Sequence, residues 1–233
     1  MAKKINVKGS IIRNDAKWIY DWLGIEATAP SDVSKILNEA NGDDIEVEIN
    51  SGGGDIFAGS EIYTALRSYK GNVTINIVGL AASAASVISM AGKSRISPTG
   101  LFMIHNVSSR ASGDHNAMQH SADVLKTADQ SIANAYREKT GLSDKEILAL
   151  MDHETWMNAE QAVKNKFVDE VMFAESKPIS LFNSTQMIND EAIGKLKKII
   201  KGPNAENSES DFLIQKTQSQ LNLLKLKGEL KNE

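Results

Sequence analysis

Three positions in this chain could carry acyl-transfer chemistry. Ser83 stands in Gly79-Leu-Ala-Ala-Ser-Ala-Ala-Ser86, a small-residue stretch that follows an alternating apolar run. A serine at a strand–turn–helix junction is held as a hydrolase nucleophile is held, although the local spelling is not G-x-S-x-G. The helix end would also offer the Ala84 N–H to a developing oxyanion. His105 ends the apolar strand Leu101-Phe-Met-Ile and opens a polar loop, where it could serve as general base. Serine-hydrolase chemistry further needs a carboxylate to orient the imidazole and stabilise its cation. Glu154 and Asp152, just before Trp156 and Met157, are the candidates, and spacing does not choose between them.

The run Ser51-Gly52-Gly53-Gly54 lies between a strand and a helix. It is not a phosphate cradle. A G-x-G-x-x-G reading from Gly52 ends on Phe57, a P-loop reading from Gly54 puts Ser60 where lysine is required, and Asp55 would repel phosphate. Glycines instead let a backbone present N–H groups to an oxyanion. The competing reading is a plain tight turn. His115 and His120 lie five apart on a polar helix and do not share a face, so they make a poor metal pair, and His153 sits in a turn.

Composition narrows the field. The 233 residues contain no cysteine, which excludes disulfide frameworks, cysteine-ligated zinc and cysteine nucleophiles. Net charge is −4, with neither basic excess nor basic stripe, so nucleic acid is not an expected partner. Residues 1–15 have no signal-peptide apolar run, because Lys8 and Arg13 interrupt it. Residues 71–92 are uncharged over 22 positions, about the length of a membrane span. Asn72, Thr74 and Asn76 alternate there with Val73, Ile75 and Ile77, however, and alternation predicts a strand followed by a buried helix. A cytoplasmic protein is expected.

The elements that must position these residues alternate in type. Strands are predicted at 5–12, at Ile45, Val47 and Ile49, at 73–78, at 100–104, near 154–158 and near 168–172. Helices are predicted from Pro30 to Asn41-Gly42, through Ala58, Ile62, Ala65 and Leu66, at 82–91, 115–138, 143–151 and 159–165. Ser143 with Glu146 three residues on forms a capping box. The class is α/β with a largely parallel sheet, whose ligand sites lie beyond the carboxyl ends of strands. The glycine run, Ser83 and His105 all fall there. After residue 175 the character changes. Residues 176–233 read as an extension, either a flexible tail or a partner-binding assembly or scaffold segment, with two helical pieces, 189–201 and 211–231, flanking the polar linker 203–211.

Five stretches in register resemble the ClpP family of serine peptidases: Glu48-Ile-Asn-Ser-Gly-Gly-Gly-Asp55, Gly79-Leu-Ala-Ala-Ser-Ala-Ala85, Met103-Ile-His-Asn106, Trp156-Met-Asn-Ala-Glu-Gln-Ala-Val163 and Phe167-Val-Asp-Glu-Val171. The resemblance covers residues 5–173. It implies a crotonase-like fold of repeated ββα units, with 115–138 as a long handle helix, assembled into two stacked heptameric rings. It also implies Ser83 as nucleophile, His105 as general base, and Gly54 and Ala84 N–H groups as the oxyanion hole. The family aspartate falls on Glu154, one methylene longer, with Asp152 as the alternative. No cofactor or metal is implied. Gly52 departs from the family's usual proline.

Ile62-Tyr63, Ala84-Ala85-Ser86-Val87 and Glu154-Thr155-Trp156 look most like the ClpP-like head-maturation proteases of tailed phages. Those act on scaffold and capsid proteins in the host cytoplasm without an obligatory ATPase. The alternatives are a housekeeping-type subunit working with an AAA+ ATPase, an inactive assembly protein, and a crotonase-type acyl-CoA enzyme. The last is disfavoured because no basic patch near Asp55 awaits the CoA phosphates.

Overall fold

The computed structural model describes residues 2–173 and, beyond them, position 218 alone. The expected extension 176–233, with its helical pieces and linker, therefore lies outside the described residues.

Eight strands form one sheet. Its main path runs β2 (Ala27–Thr28), β1 (Lys3–Ile11), β3 (Ile45–Gly54), β4 (Val73–Ala82), β5 (Lys93–Ile96), β8 (Glu170–Val171), all in parallel pairs. β6 (Leu101–Ile104) pairs in parallel with β4 and antiparallel with β7 (Thr155–Asn158). Alternation sets the burial: Ile45, Val47 and Ile49 on β3 and Ile75 and Ile77 on β4 are fully inside, as strand periodicity requires. Helices α2 (Pro30–Ala40) and α3 (Ile56–Arg67) cover them with Val33, Leu37, Ile62 and Leu66. The parallel α/β class expected from the alternation is the one observed.

Two features of the sheet shape its carboxyl edge. β3 does not stop before its glycines. Ser10 and Ile11 of β1 pair with Gly53 and Gly54, after an irregularity between Lys8 and Ser10, so the glycine run is itself strand. β4 likewise runs on to Ala82, past the predicted 78. Its first half, Thr74–Ile77, pairs with β5, and its last residues, Leu80–Ala82, pair with Leu101–Met103 of β6. One strand thus serves two neighbours and delivers its end beside the end of β6.

The uncharged stretch 71–92 holds β4 and the short helix α4 (Ala84–Ser89). Among the described residues no helix is long and apolar enough to cross a membrane. The long helix is α5 (His115–Thr140), begun by Asp114 accepting from Ala117 N–H and ended at Gly141. α6 (Asp144–Asp152) carries the expected Ser143–Glu146 capping box, and α7 (Ala159–Lys164) follows β7.

Sequence periodicity did not reveal α1 (Lys17–Leu23), β2 or β5. α1 carries Trp18, Ile19, Trp22 and Leu23 at helical spacing, but it is only seven residues long and leaves all four exposed. β5 spells Lys-Ser-Arg-Ile, in which Ser94 and Ile96 face inward while Lys93 and Arg95 give the run a loop's composition.

Candidate active site

The pairing of β4 with β6 decides where the two reactive side chains meet. Ala82 lies opposite Met103, and the Ser83 N–H donates to the Met103 carbonyl at 3.1 Å. Ser83 and His105 therefore leave the carboxyl ends of adjacent parallel strands side by side. His105 Nε2 and Ser83 Oγ are 2.8 Å apart, within hydrogen-bond reach for a nucleophile and its base.

Ser83 adopts φ 55°, ψ −126°, a backbone conformation that a residue with a Cβ seldom takes. It sits at the turn from β4 into α4, with Ala84 the first helical residue. The turn is held from within. Ser86 Oγ donates to the Ser83 carbonyl at 2.6 Å and lies 2.8 Å from Tyr136 Oη of α5. Tyr136 is fully buried, and burial pushes its phenol well above the usual range. Its ring meets Phe167 edge-on at 5.8 Å.

The glycines come close to this turn. Gly53 has φ 95°, and a Cβ on it would lie 2.7 Å from Ser83 Cβ and 3.0 Å from the Ala84 nitrogen. Gly54 has φ 151°, and a Cβ there would strike the Ile11 carbonyl oxygen at 2.1 Å. Only glycine lets β3 pass this near to both β1 and the serine turn. Asp55 then caps α3, its Oδ1 accepting from Ala58 N–H at 2.8 Å.

Gly54, Asp55, Ser83, His105 and Tyr136 line one cleft. Its apolar wall comes from Phe57 of α3 and from Leu125, Ala128 and Ile132 of α5. Ala84, named with Gly54 for the oxyanion hole, is buried directly behind Ser83 at the head of α4.

The predicted carboxylates do not hydrogen-bond His105. Glu154, itself at φ 45°, accepts through Oε1 from Trp156 Nε1 at 3.2 Å. Asp152 Oδ1 accepts from Asn106 Nδ2 at 2.8 Å, and the Asn106 Oδ1 is buried with no partner among the described residues. A third carboxylate, Asp129, also holds the segment that follows His105, and unlike Asp152 it is buried. Asp129 of α5 accepts from Val107 N–H through Oδ1 at 2.6 Å, two residues beyond His105. Burial pushes its carboxyl up and Asp152 adds to this. The Val107 hydrogen bond and the His105 charge pull the other way, and the net direction is upward. Its signal was present in the sequence: Leu125, Asp129, Ile132 and Tyr136 fall at helical spacing on one face, so a charge interrupts an apolar stripe. Among the described residues no cluster of three or more histidine and carboxylate side chains could hold a metal.

Comparison with known proteins agrees with this architecture. The family model described as Clp protease matches residues 30–175, more than half of the chain. The ATP-dependent Clp protease proteolytic subunit of Deinococcus radiodurans is 33% identical over 133 residues, covering 55% of this chain and 65% of that protein. Its counterpart from Bacteroides fragilis is 31% identical over 134 residues, covering 56% and 65%. The match to these two therefore spans slightly less than two thirds of their length. The fold is similar to that of a ClpP1 mutant from Listeria monocytogenes, with a TM-score of 0.61 at 23% identity, over 73% of this chain and 91% of that one. A parallel sheet in the order β2-β1-β3-β4-β5-β8, a serine turn buttressed by glycines and a family match over residues 30–175, from α2 onward, lead to one assignment: this chain belongs to the Clp protease family.

Proposed function

We propose that the chain is a serine endopeptidase in which Ser83 is the nucleophile and His105 its general base. The observation that carries this reading is the 2.8 Å contact between Ser83 Oγ and His105 Nε2 inside a cleft. His105 takes the Ser83 proton as Oγ attacks a peptide carbonyl, and then gives it to the leaving amine. Water, activated by the same imidazole, releases the acyl group. The backbone N–H groups of Gly54 and Ala84 hold the oxyanion. No metal or nucleotide takes part in these steps. Leu125, Ala128 and Ile132 favour an apolar side chain next to the scissile bond.

The substrates are proteins, and the working form is a homo-oligomeric ring. Within that reading the local spellings around Ile62, Ala84 and Glu154 favour cleavage of phage scaffold and capsid proteins during head maturation, in the host cytoplasm. The names of the relatives support a second reading, a proteolytic subunit fed by an AAA+ ATPase. Residues 1–175 form the peptidase domain in either case, and 176–233 an appended assembly segment.

The test is hydrolysis of a fluorogenic peptide with an apolar residue before the scissile bond. Ser83→Ala and His105→Ala should each lose at least about 10³-fold in kcat. Equal rates in wild type and Ser83→Ala would overturn the assignment. A folded protein substrate, offered with and without a Clp-type ATPase, separates the two roles: cleavage without ATPase supports head maturation.

A further inference from the structure

Among the described residues, Asp129 is the only charged residue in the buried interior, at 8% exposure. A carboxylate is expensive to bury and persists where it is paired or hydrogen-bonded. Its partner here is the Val107 N–H, on the loop that starts at His105, and among the described residues that single bond occupies Oδ1 alone. Asp129 also stands one turn from Leu125 and Ile132, which line the cleft with His105. α5 thus brings a buried negative charge against the histidine loop, while Glu154 is turned to Trp156 and Asp152 to Asn106.

We propose that Asp129 is the positioning carboxylate of the site: it fixes the His105 loop through Val107 and offsets the charge of the His105 imidazolium, the role that family resemblance gives to Glu154. The assignment rests on the reading of Ser83 and His105 as nucleophile and base. Ser83 from the β4–α4 turn, Tyr136 from α5 and Asp55 at the head of α3 line the cleft with His105, while Asp152 of α6 and Asp129 of α5 bond the two residues that follow it, Asn106 and Val107. Of these only Asp129 combines negative charge, burial and a bond to the histidine's own loop.

The experiment measures peptide hydrolysis across pH, and fluorophosphonate labelling of Ser83, for the full chain and four variants. Asp129→Asn keeps an oxygen for Val107 N–H and removes only the charge. It should lower kcat by about 10²-fold or more with KM within about twofold, because an uncompensated imidazolium disfavours the transition state. Losing a negative neighbour also disfavours the protonated imidazole, so the acid limb of kcat/KM should move to lower pH. Asp129→Glu should recover part of kcat, even if Asp129→Asn folds poorly. Glu154→Gln and Asp152→Asn should stay within about threefold of wild type. A full-rate Asp129→Asn, a loss confined to Glu154→Gln, or an Asp129→Glu no better than Asp129→Asn overturns the assignment. If wild-type Ser83 takes no label, the acyl-transfer reading fails and this assignment with it. Labelled wild type with a full-rate Asp129→Asn rejects Asp129 alone.

Discussion

Ser83 is held at φ 55°, ψ −126°, a backbone state that costs on the order of 1–3 kcal/mol and persists only when its surroundings over-determine it. Ser86 and Tyr136 do that here: one hydroxyl grips the Ser83 carbonyl, and the other braces the first from a fully buried ring. Ser86→Ala removes the grip and leaves the Tyr136 hydroxyl without this partner. Urea denaturation should show a loss of about 1–3 kcal/mol, and labelling of Ser83 should slow. Unchanged stability and labelling would mean that the turn is held by something else. Ser83 and His105 were legible in the sequence because each ends an apolar strand in a setting where chemistry is common. Asp129 was not, since a single carboxylate among polar neighbours on α5 looks solvated until its helical face is compared with Tyr136. The carboxylate at 154 was legible only by counting residues, and counting does not show which way a side chain at φ 45° points.

At the scale of elements, the site is made by one strand changing partners. β4 leaves β5 after Ile77 and joins β6 from Leu80, which sets Ser83 beside the exit of β6 and so beside His105. β3 closes the third side, and Gly53 permits it. In Gly53→Ala the added methyl would meet Ser83 Cβ and the Ala82 carbonyl oxygen at 2.7 and 2.8 Å, at a φ that alanine resists. The variant should fold with reduced thermal stability and acylate at least about tenfold more slowly, because a misplaced nucleophile forfeits its orientation. Wild-type acylation by Gly53→Ala would show that β3 does not set the serine turn. Long alternating strands and the capped helices α2 and α6 were readable because period and caps are local properties. The split of β4 was not, because pairing partners are chosen by tertiary packing. The two residues of β2 left too little periodicity to find, and the apolar face of α1 spans only seven residues.

For the whole molecule, the family assignment covers residues 30–175, and the proposed working form is a ring. Sedimentation velocity should therefore give a particle several times the 25.3 kDa of one chain, and a monomer that is fully active would contradict the ring. The α/β class was evident from the order of elements, as strands alternating with helices admit few arrangements. Ring size depends on contacts between chains, which no intrachain pattern records. The central claim is that Ser83 is an activated nucleophile, and fluorophosphonate labelling followed by intact mass measurement tests it most directly. The expected result is one phosphonate per chain, mapped to Ser83, abolished in Ser83→Ala and strongly slowed in His105→Ala. A folded chain that takes no label, or takes it equally in Ser83→Ala, would contradict the account.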